Sequence, residues 1–444
     1  MNHEPLAVDR SHGEPTRVAL TTLGCKLNFV EMEEMAEGFA RGGCCIVPFG
    51  ESADLTIVHT CTVTSRSDFK SRHLISRARQ FSPGGQIVVT GCYAELDGDT
   101  LRGLPGVTKV IPRARLHALP QVLTEAPDNP DDLSDSDPWI VRRKTRLSRA
   151  FLKIQTGCNQ RCTFCRVWQA RGPAVSVPAT RVMEQAGVFL AQGFEELVLT
   201  GVDMGSWGID RGLGRSFCTL LEKILALPGH FRVRLSSLYP VDVDERLLDL
   251  VTTHPKLCRH LHLPVQSASP AVLRRMGRHV EPARLCELTW RLREASGQFG
   301  IGADIIAGFP GETGEDFAET CRFVENSALT YLHVFPFSTR PGTAAAGFDG
   351  QHSPETIKER AKLLRDLGAK RRAEYRAAHP GGEVEVLIER RRDRATGLLT
   401  GFTTDYLRVY AQGPDAWGGR LVSLRLARSL GVEDSVETQD VGAP

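Results

Sequence analysis

The sequence predicts an α/β multidomain chain: an N-terminal open parallel α/β sheet, a central partial (β/α)6 barrel, and a small antiparallel β-barrel at the C-terminus. Three observations predict it. Short apolar runs alternate with amphipathic stretches through the first hundred residues. The same rhythm restarts at Ala150 and runs through six strand candidates. After His379-Pro380-Gly381-Gly382 it gives way to short alternating strands between glycine-rich turns. With 444 residues, the chain has room for roughly two to four domains.

Arg17 to Leu23, Leu55 to His59 and Gln86 to Thr90 read as buried strands, and Glu31 to Arg41 and Ser67 to Gln80 as helices. The stretch 126–146 opens rich in Asp, Pro and Ser without an apolar period and reads as a linker. Strand candidates follow at Phe151 to Gln155, Leu197 to Thr200, Arg232 to Ser236, His260 to Pro264, Ile301 to Ala307 and Tyr331 to Pro336. Helical stretches such as Arg181 to Ala191, Asp244 to Thr252 and Glu315 to Asn326 lie between them, as a parallel barrel requires. Leu363 to Tyr375 reads as a charged closing helix. Glu383 to Ile388, Leu407 to Tyr410 and Leu421 to Leu426 alternate as the strands of the last barrel.

The chain is 41% hydrophobic and 24% charged, an ordinary globular balance. No apolar run approaches a membrane span, and residues 1–15 are polar and read as a disordered lead without a secretory signal. The twelve cysteines are therefore expected as reduced thiols in the cytoplasm. Cys44, Cys45, Cys218, Cys258, Cys286 and Cys321 lack ligand spacing, and several read as small core residues. The net charge is only +2, which excludes a polycation. Basic clusters at Arg142 to Arg149, Lys358 to Arg376 and Arg390 to Arg394 suit phosphate binding, with a solvated face as the competing reading.

The other six cysteines are patterned. Cys158-Asn159-Gln160-Arg161-Cys162-Thr163-Phe164-Cys165 is a C-x3-C-x2-C run. Three thiolates this close can hold three irons of a [4Fe–4S] cluster and leave the fourth iron open. A zinc knuckle competes, but zinc usually takes four ligands in paired spacing. Cys25, Cys61 and Cys92 are far apart in sequence, yet each directly follows a predicted parallel strand. Parallel strands bring their carboxyl ends to one sheet edge, so these three can converge on a second three-cysteine site; three unrelated core cysteines are the alternative.

The cysteine run, with an aromatic just before its last Cys, resembles the radical S-adenosylmethionine (SAM) enzymes. Leu23-Gly24-Cys25-Lys26-Leu27-Asn28, Thr60-Cys61-Thr62-Val63-Thr64 and Gly91-Cys92-Tyr93-Ala94-Glu95 resemble the methylthiotransferase N-terminal domain. So do Cys158 to Gly172, Leu199 to Val202, His262 to Ser267, Gly308 to Thr313 and Ser338 to Thr343 for that family's radical-SAM domain. The tail resembles a TRAM domain, an RNA-binding barrel. The resemblance runs from Arg17 to about Glu437 and is greatest to the branch acting on threonylcarbamoyladenosine in tRNA. His59, Trp168-Gln169, Pro173-Ala174-Val175 and Ala268 depart from the family pattern.

The resemblance implies a methylthiotransferase N-terminal domain at 16–125, a linker at 126–146, a radical-SAM domain at 147–377 and a TRAM domain at 378–440. It implies two [4Fe–4S] clusters, on Cys158, Cys162 and Cys165 and on Cys25, Cys61 and Cys92, with SAM as the other cofactor. The first would cleave SAM to a 5′-deoxyadenosyl radical with an electron from an external donor. The second would carry sulfur from a sulfur donor to an aromatic carbon whose C–H bond acid–base groups cannot activate. Phe164 would pack on the SAM adenine or in the core. Gly201, Asp203, Gln266, Asp304 and Gly308 would contact the cofactor at barrel strand ends or serve as ordinary turn residues. Glu312 would begin a helix, and Arg171 would bind a phosphate or carboxylate or pair with an acidic side chain. Arg390, Arg391, Arg392, Arg394 and Arg408 would hold tRNA phosphates, with Tyr406 or Tyr410 stacking on bases. The implied product is 2-methylthio-N6-threonylcarbamoyladenosine beside the anticodon. The alternatives are the same chemistry on isopentenyladenosine or on a ribosomal-protein aspartate, and a non-catalytic iron–sulfur protein that binds RNA or senses redox state.

Overall fold

The computed structural model describes residues 15–116, 119–120, 140–143, 145, 147–379 and 382–426, and the backbone of 436–439. The expected lead at 1–15, but for residue 15, and most of the linker at 126–146 lie outside them. The chain forms two compact units. The first takes the described residues up to Arg143 together with Gly157–Asn159 and Cys165–Pro173; the second takes the described residues of 144–156, Gln160–Phe164 and everything from Ala174 onward.

The first unit is built on five parallel strands, β1 (Arg17–Thr22), β2 (Cys45–Val47), β3 (Leu55–Thr60), β4 (Gln86–Gly91) and β5 (Lys109–Val110), in the order β2-β1-β3-β4-β5. All six residues of β3 are buried, because helices cover both faces of the sheet. Met35 and Phe39 of the helix Lys26–Arg41 pack with Val18, Leu55, Ile57 and Val88 on one face. Ile75 and Ala78 of the helix Ser65–Phe81 pack with Val58, Ile87 and Val89 on the other. That helix starts two residues before its expected position because the Thr64 hydroxyl accepts the Ser67 N–H at 3.2 Å. The edge strands β2 and β5, three and two residues long, are too short to carry a period and were not expected.

In the second unit, β6 (Ala150–Lys153) leads into a short hairpin of β7 (Gln155–Thr156) and β8 (Val175–Ser176). β9 (Glu196–Thr200) and β10 (Arg232–Leu235) join β6 in a parallel sheet ordered β10-β9-β6. β11 (His260–Gln266), β12 (Gly300–Ala307) and β13 (Tyr331–Pro336) form a second parallel sheet. The six expected strands are thus present as two three-stranded sheets. A single bridge, Val233 to Leu257, and the bond from Leu238 N–H to the His262 carbonyl (3.0 Å) connect them. The closing helix runs Pro354–Ala377, longer than its apolar period suggested, because Ser353 caps it and Pro354 occupies its first turn.

The last strands are β14 (Gly382–Ile388), β15 (Leu399–Thr403), β16 (Arg408–Ala411), β17 (Leu421–Leu426) and β18 (Val436–Gln439), closed in the order β14-β15-β16-β18-β17. The expectation of a wholly antiparallel barrel needs correction: β16 and β18 pair in parallel. A ring of five strands cannot alternate direction all the way round, so one pair must run together. Val386, Ile388, Leu399, Val409, Leu424 and Leu426 fill the interior.

An ion network fastens this barrel to β9 and β10 within the second unit. Fully buried Glu196 accepts from Arg232 Nε (2.7 Å) and Arg234 Nε (3.1 Å). Arg232 and Arg234 each also donate from Nη2, to the carbonyls of Phe402 (2.7 Å) and Thr403 (2.8 Å). Burial alone would push the Glu196 carboxyl up, but Arg234, Arg232 and Arg149 outweigh it and hold the group well below the usual carboxylate range. Glu196→Gln leaves two buried guanidiniums without a counter-charge and is expected to cost about 3–5 kcal/mol in urea unfolding. Because the folded-state pKa is depressed, the parent's stabilisation is present above the ordinary carboxylate pKa of about 4.3 and is lost as pH falls below it. The variant should lack that component of the acid dependence.

Candidate functional site

β1, β3 and β4 are neighbours, and their carboxyl ends share one edge. Cys25 lies three residues past β1; Cys61 and Cys92 follow β3 and β4 immediately, after the paired residues Thr60 and Gly91. Cys61 and Cys92 are buried and Cys25 is exposed. The sequence sets this geometry locally. Gly24 has φ +105°, and a Cβ there would stand 2.5 Å from the Cys61 Sγ. The loop bearing Cys25 therefore presses onto Cys61 through a position only glycine tolerates. Asn28, at the start of the following helix, donates from Nδ2 to the carbonyls of Leu23 (2.8 Å) and Thr60 (3.2 Å), while its Oδ1 accepts from the Cys25 thiol at 3.5 Å. The Thr60 hydroxyl donates to the Thr90 carbonyl at 2.6 Å and ties the Cys61 and Cys92 strands together.

Three thiols around a glycine cradle, with no carboxylate among them, fit an iron–sulfur cluster as donors. Burial pushes the Cys92 thiol up to about 12, and it raises the Cys61 thiol as well. Such thiols keep their protons until a cation arrives, so ligation would release them. Beside them lies Arg171, its side chain 1% exposed. Its guanidinium donates to both Glu31 oxygens, at 2.8 and 3.0 Å, and to Asn28 Oδ1 at 2.6 Å. Of its two expected roles, pairing with an acidic side chain is the one observed. Glu31 also lies 3.3 Å from His59 Nε2. Buried Arg166 pairs with Asp97 at 2.8 Å. Sequence reasoning missed Glu31 and Arg166; charged residues on otherwise apolar faces were the available signal.

Cys158, Cys162 and Cys165 occupy the loop between β7 and the helix Val167–Arg171. Cys158 and Cys162 are buried and Cys165 is half-buried. Gly157 opens the loop at φ +73°, where a Cβ would strike the Pro173 carbonyl oxygen at 1.8 Å. Arg161 adopts φ +48°, a left-handed bend in the middle of this loop. The Cys158 N–H donates to the Gly172 carbonyl at 3.1 Å, and the Thr163 N–H to that of Met276 at 3.1 Å. Phe164 packs edge-on to Phe309 with ring centres 6.3 Å apart, against the core of Val272, Met276 and Ile306.

Gly201, Gln266 and Gly308 lie at or just beyond the carboxyl ends of β9, β11 and β12. Gln155 Oε1 accepts the N–H groups of Val202 and Asp203, both at 2.9 Å, and shapes the loop after β9. Burial, aided by Asp242, raises the Asp203 carboxyl to about 6. Gln266 sits at φ +73°, and no glycine relieves that backbone. The Gly308 N–H donates to Glu312 Oε2 at 2.9 Å, and Arg360 binds the same oxygen at 2.6 Å. Glu312 therefore holds a turn and does not begin a helix; the helix starts at Gly314, capped by Thr313.

Asp304 also needs correction. It lies in mid-strand, not at a strand end, and its Oδ1 is 2.8 Å from His262 Nε2 and 3.4 Å from His333 Nδ1. Burial opposes these bonds, but they hold its carboxyl at about 2. The arginines expected on RNA divide. Arg390 is bound to the Leu147 carbonyl (2.9 Å), and Arg392 to Asp415 (2.7 Å) and to the Gly397 and Gly413 carbonyls. Arg390 thus braces a distant segment and Arg392 nearby loops, and all four arginines 390, 391, 392 and 394 are exposed. Arg408 lies over the Tyr410 ring at 4.9 Å. Tyr406 is stacked on His260 (4.4 Å) and Phe402 (4.8 Å), so those rings hold the faces expected for a base.

Six parallel strands with intervening helices and a three-cysteine loop early among them define a radical-SAM protein. The family described as "Radical SAM superfamily" matches residues 152–324, and "Uncharacterized protein family UPF0004" matches residues 17–111. The chain is 32% identical over 424 residues to threonylcarbamoyladenosine tRNA methylthiotransferase MtaB of Bacillus subtilis (strain 168), covering 93% of this chain and 94% of that one. It is 34% identical over 406 residues to MtaB of Thermotoga maritima, covering 88% and 90%. Identity is 31% over 429 residues, 94% of this chain and 86% of the other, to tRNA-2-methylthio-N(6)-dimethylallyladenosine synthase of Acidothermus cellulolyticus. The radical SAM methyltransferase TsrM from Kitasatospora setae shares the fold, with a TM-score of 0.59 at 16% identity over 74% of this chain and 75% of that one. The chain belongs to the MtaB family of radical-SAM tRNA methylthiotransferases.

Proposed function

We propose that this enzyme attaches a methylthio group to C2 of N6-threonylcarbamoyladenosine next to the anticodon of tRNA. The observation that carries the sulfur-inserting part is the second thiol triad: Cys25, Cys61 and Cys92 at one edge of a parallel sheet, apart from the C-x3-C-x2-C loop. When bound, the two [4Fe–4S] clusters and SAM supply reductive cleavage of SAM and a sulfur for transfer to carbon.

The chain's own residues hold and orient. Cys158, Cys162 and Cys165 ligate one cluster, and Cys25, Cys61 and Cys92 the other. Gly201, Asp203, Gln266 and Gly308 line the strand ends where SAM lies, with Gln155 and Glu312 fixing the two loops. Asp304 acts through His262 and His333. The central strands serve as a partial (β/α)6 barrel over 147–377, after the methylthiotransferase domain at 16–125, and the closed barrel at 378–440 serves as a TRAM domain that holds RNA with Arg391, Arg394 and Arg408. An external electron donor and a sulfur donor complete the cycle, and a tRNA substrate places it in the cytoplasm. No helix among the described residues is long and apolar enough to cross a membrane.

The test is anaerobic reconstitution with iron and sulfide, then incubation with SAM, a reductant and tRNA carrying threonylcarbamoyladenosine. Mass spectrometry of the digested tRNA should find the 2-methylthio nucleoside, with 5′-deoxyadenosine released. The relative that acts on dimethylallyladenosine, at 31% identity, favours a second reading. A product formed only on tRNA carrying isopentenyladenosine would replace the first reading with it, and release of no 5′-deoxyadenosine would end both.

A further inference from the structure

Three strands of the second unit gather metal-ligating side chains outside both cysteine sets. His260 and His262 are two residues apart on β11 and share one face of the sheet, and Tyr331 and His333 do the same on β13. Between them on β12, Asp304 pairs in register with His333, and Gly302 with His262 and Tyr331. Asp304 Oδ1 lies 2.8 Å from His262 Nε2 and 3.4 Å from His333 Nδ1, and the three donor atoms all fall within 4.8 Å of one another. His262 is buried, whereas the His333 side chain is 52% exposed, so the group opens to solvent on the β13 side. His262 is also held from behind. The Tyr331 hydroxyl lies 3.1 Å from its Nδ1 and 2.9 Å from His260 Nε2. Gly302 makes room for that ring, since a Cβ there would stand 2.1 Å from Tyr331 Cζ.

We propose that His262, Asp304 and His333 bind one first-row divalent cation, of the class of zinc, as a mononuclear centre separate from the two cysteine sites. Two imidazoles and a carboxylate are a donor set that such ions take, and three protein ligands leave at least one position for water or another oxygen donor. Bonds of about 2.0–2.2 Å keep any two donors around one ion within roughly 4.4 Å of each other. The 2.8 and 3.4 Å edges meet that limit, and the third needs at most a small turn of half-exposed His333. A hydrogen-bonded pair needs only one histidine; a shared ion accounts for two imidazoles aimed at the same carboxylate oxygen. With His262 Nε2 on the ion, its Nδ1–H donates to the Tyr331 hydroxyl, which in turn donates to His260 Nε2. Such an outer partner fixes the ring and tautomer of a metal-bound histidine. This inference rests on neither the tRNA assignment nor the clusters.

The test dialyses the full anaerobically reconstituted protein against zinc and measures zinc and iron in the same samples. About one zinc per chain should bind without loss of iron, and X-ray absorption at the zinc edge should show nitrogen and oxygen neighbours at about 2.0–2.1 Å and no sulfur at about 2.3 Å. His333→Ala and Asp304→Asn should each weaken zinc binding about 100-fold or more, and Tyr331→Phe, which loses only the outer hydroxyl, about tenfold. His230→Ala, which removes an exposed ring outside the group, should bind zinc as the parent does. No zinc on the parent, zinc held by sulfur, or parent-like affinity in His333→Ala overturns the inference. Should His333→Ala lose iron as well, Tyr331→Phe decides, and an unchanged zinc affinity there overturns it.

Discussion

Cys92→Ala protein, reconstituted anaerobically, is expected to hold about four irons per chain where the parent holds about eight. It should still release 5′-deoxyadenosine from SAM, and it should make no methylthio nucleoside. Cys158→Ala should also hold about four irons but release no 5′-deoxyadenosine. The asymmetry follows from the two sets of donors. Cys25, Cys61 and Cys92 sit on the edge of one parallel sheet and share the Asn28 and Thr60 hydrogen bonds. Cys158, Cys162 and Cys165 share one loop of eight residues. A three-thiol site has no spare ligand, so loss of one leaves two, too few to hold a cluster. Iron assay, SAM cleavage and nucleoside mass spectrometry read the three outcomes separately. Equal loss of both activities in Cys92→Ala would sink the assignment of two independent sites.

The second large effect is expected at Arg171, which touches no part of the reaction. Arg171→Met removes the guanidinium that binds both Glu31 oxygens and leaves a carboxylate 3% exposed with His59, 3.3 Å away, still beside it. Loss of one partner of a buried pair costs about 3–5 kcal/mol. Glu31 is held well below the usual carboxylate range, burial opposing and the Arg171 charge prevailing. In the variant, burial wins, and Glu31 must take a proton or drag water into the sheet edge. Asn28 loses its 2.6 Å bond from Arg171 as well, so the carbonyls flanking Cys25 and Cys61 lose their brace. The expected result is a lower urea midpoint together with loss of about four irons. Glu31→Gln/Arg171→Met, which removes both charges, should recover most of the stability because the two residues act as one network. A single variant as stable as the parent would show that the pair carries no stabilisation.

Much of the fold is legible in the sequence. β3 reads as a buried strand from Leu55, Ile57 and Val58, although Thr56, His59 and Thr60 are buried with them. The six central strands repeat at a spacing that leaves room for a helix between each pair. The misses have local causes. β15 carries Gly401 and two threonines in five residues, which dilute its apolar period. Arg390 and Arg392 look like phosphate ligands in a run of arginines, but the carbonyls that bind them come from Leu147, Gly397 and Gly413, and no local pattern announces those. Arg232, Arg234 and Glu196 were missed for the same reason, since each belongs to a strand whose period looks ordinary without its partners.

The sequence alone determined most of the long elements and which cysteines are patterned. Hydrophobic periodicity and the fixed spacing of Cys158, Cys162 and Cys165 are local properties, set within a few residues. Only the tertiary structure decided which partner each charge meets. Arg171 is buried on a carboxylate and Arg390 reaches a distant carbonyl, while Arg391 and Arg394 are exposed. A charge's role depends on the partner it meets across the fold, and that partner is set by how strands and helices stack, over distances along the chain that no local pattern spans.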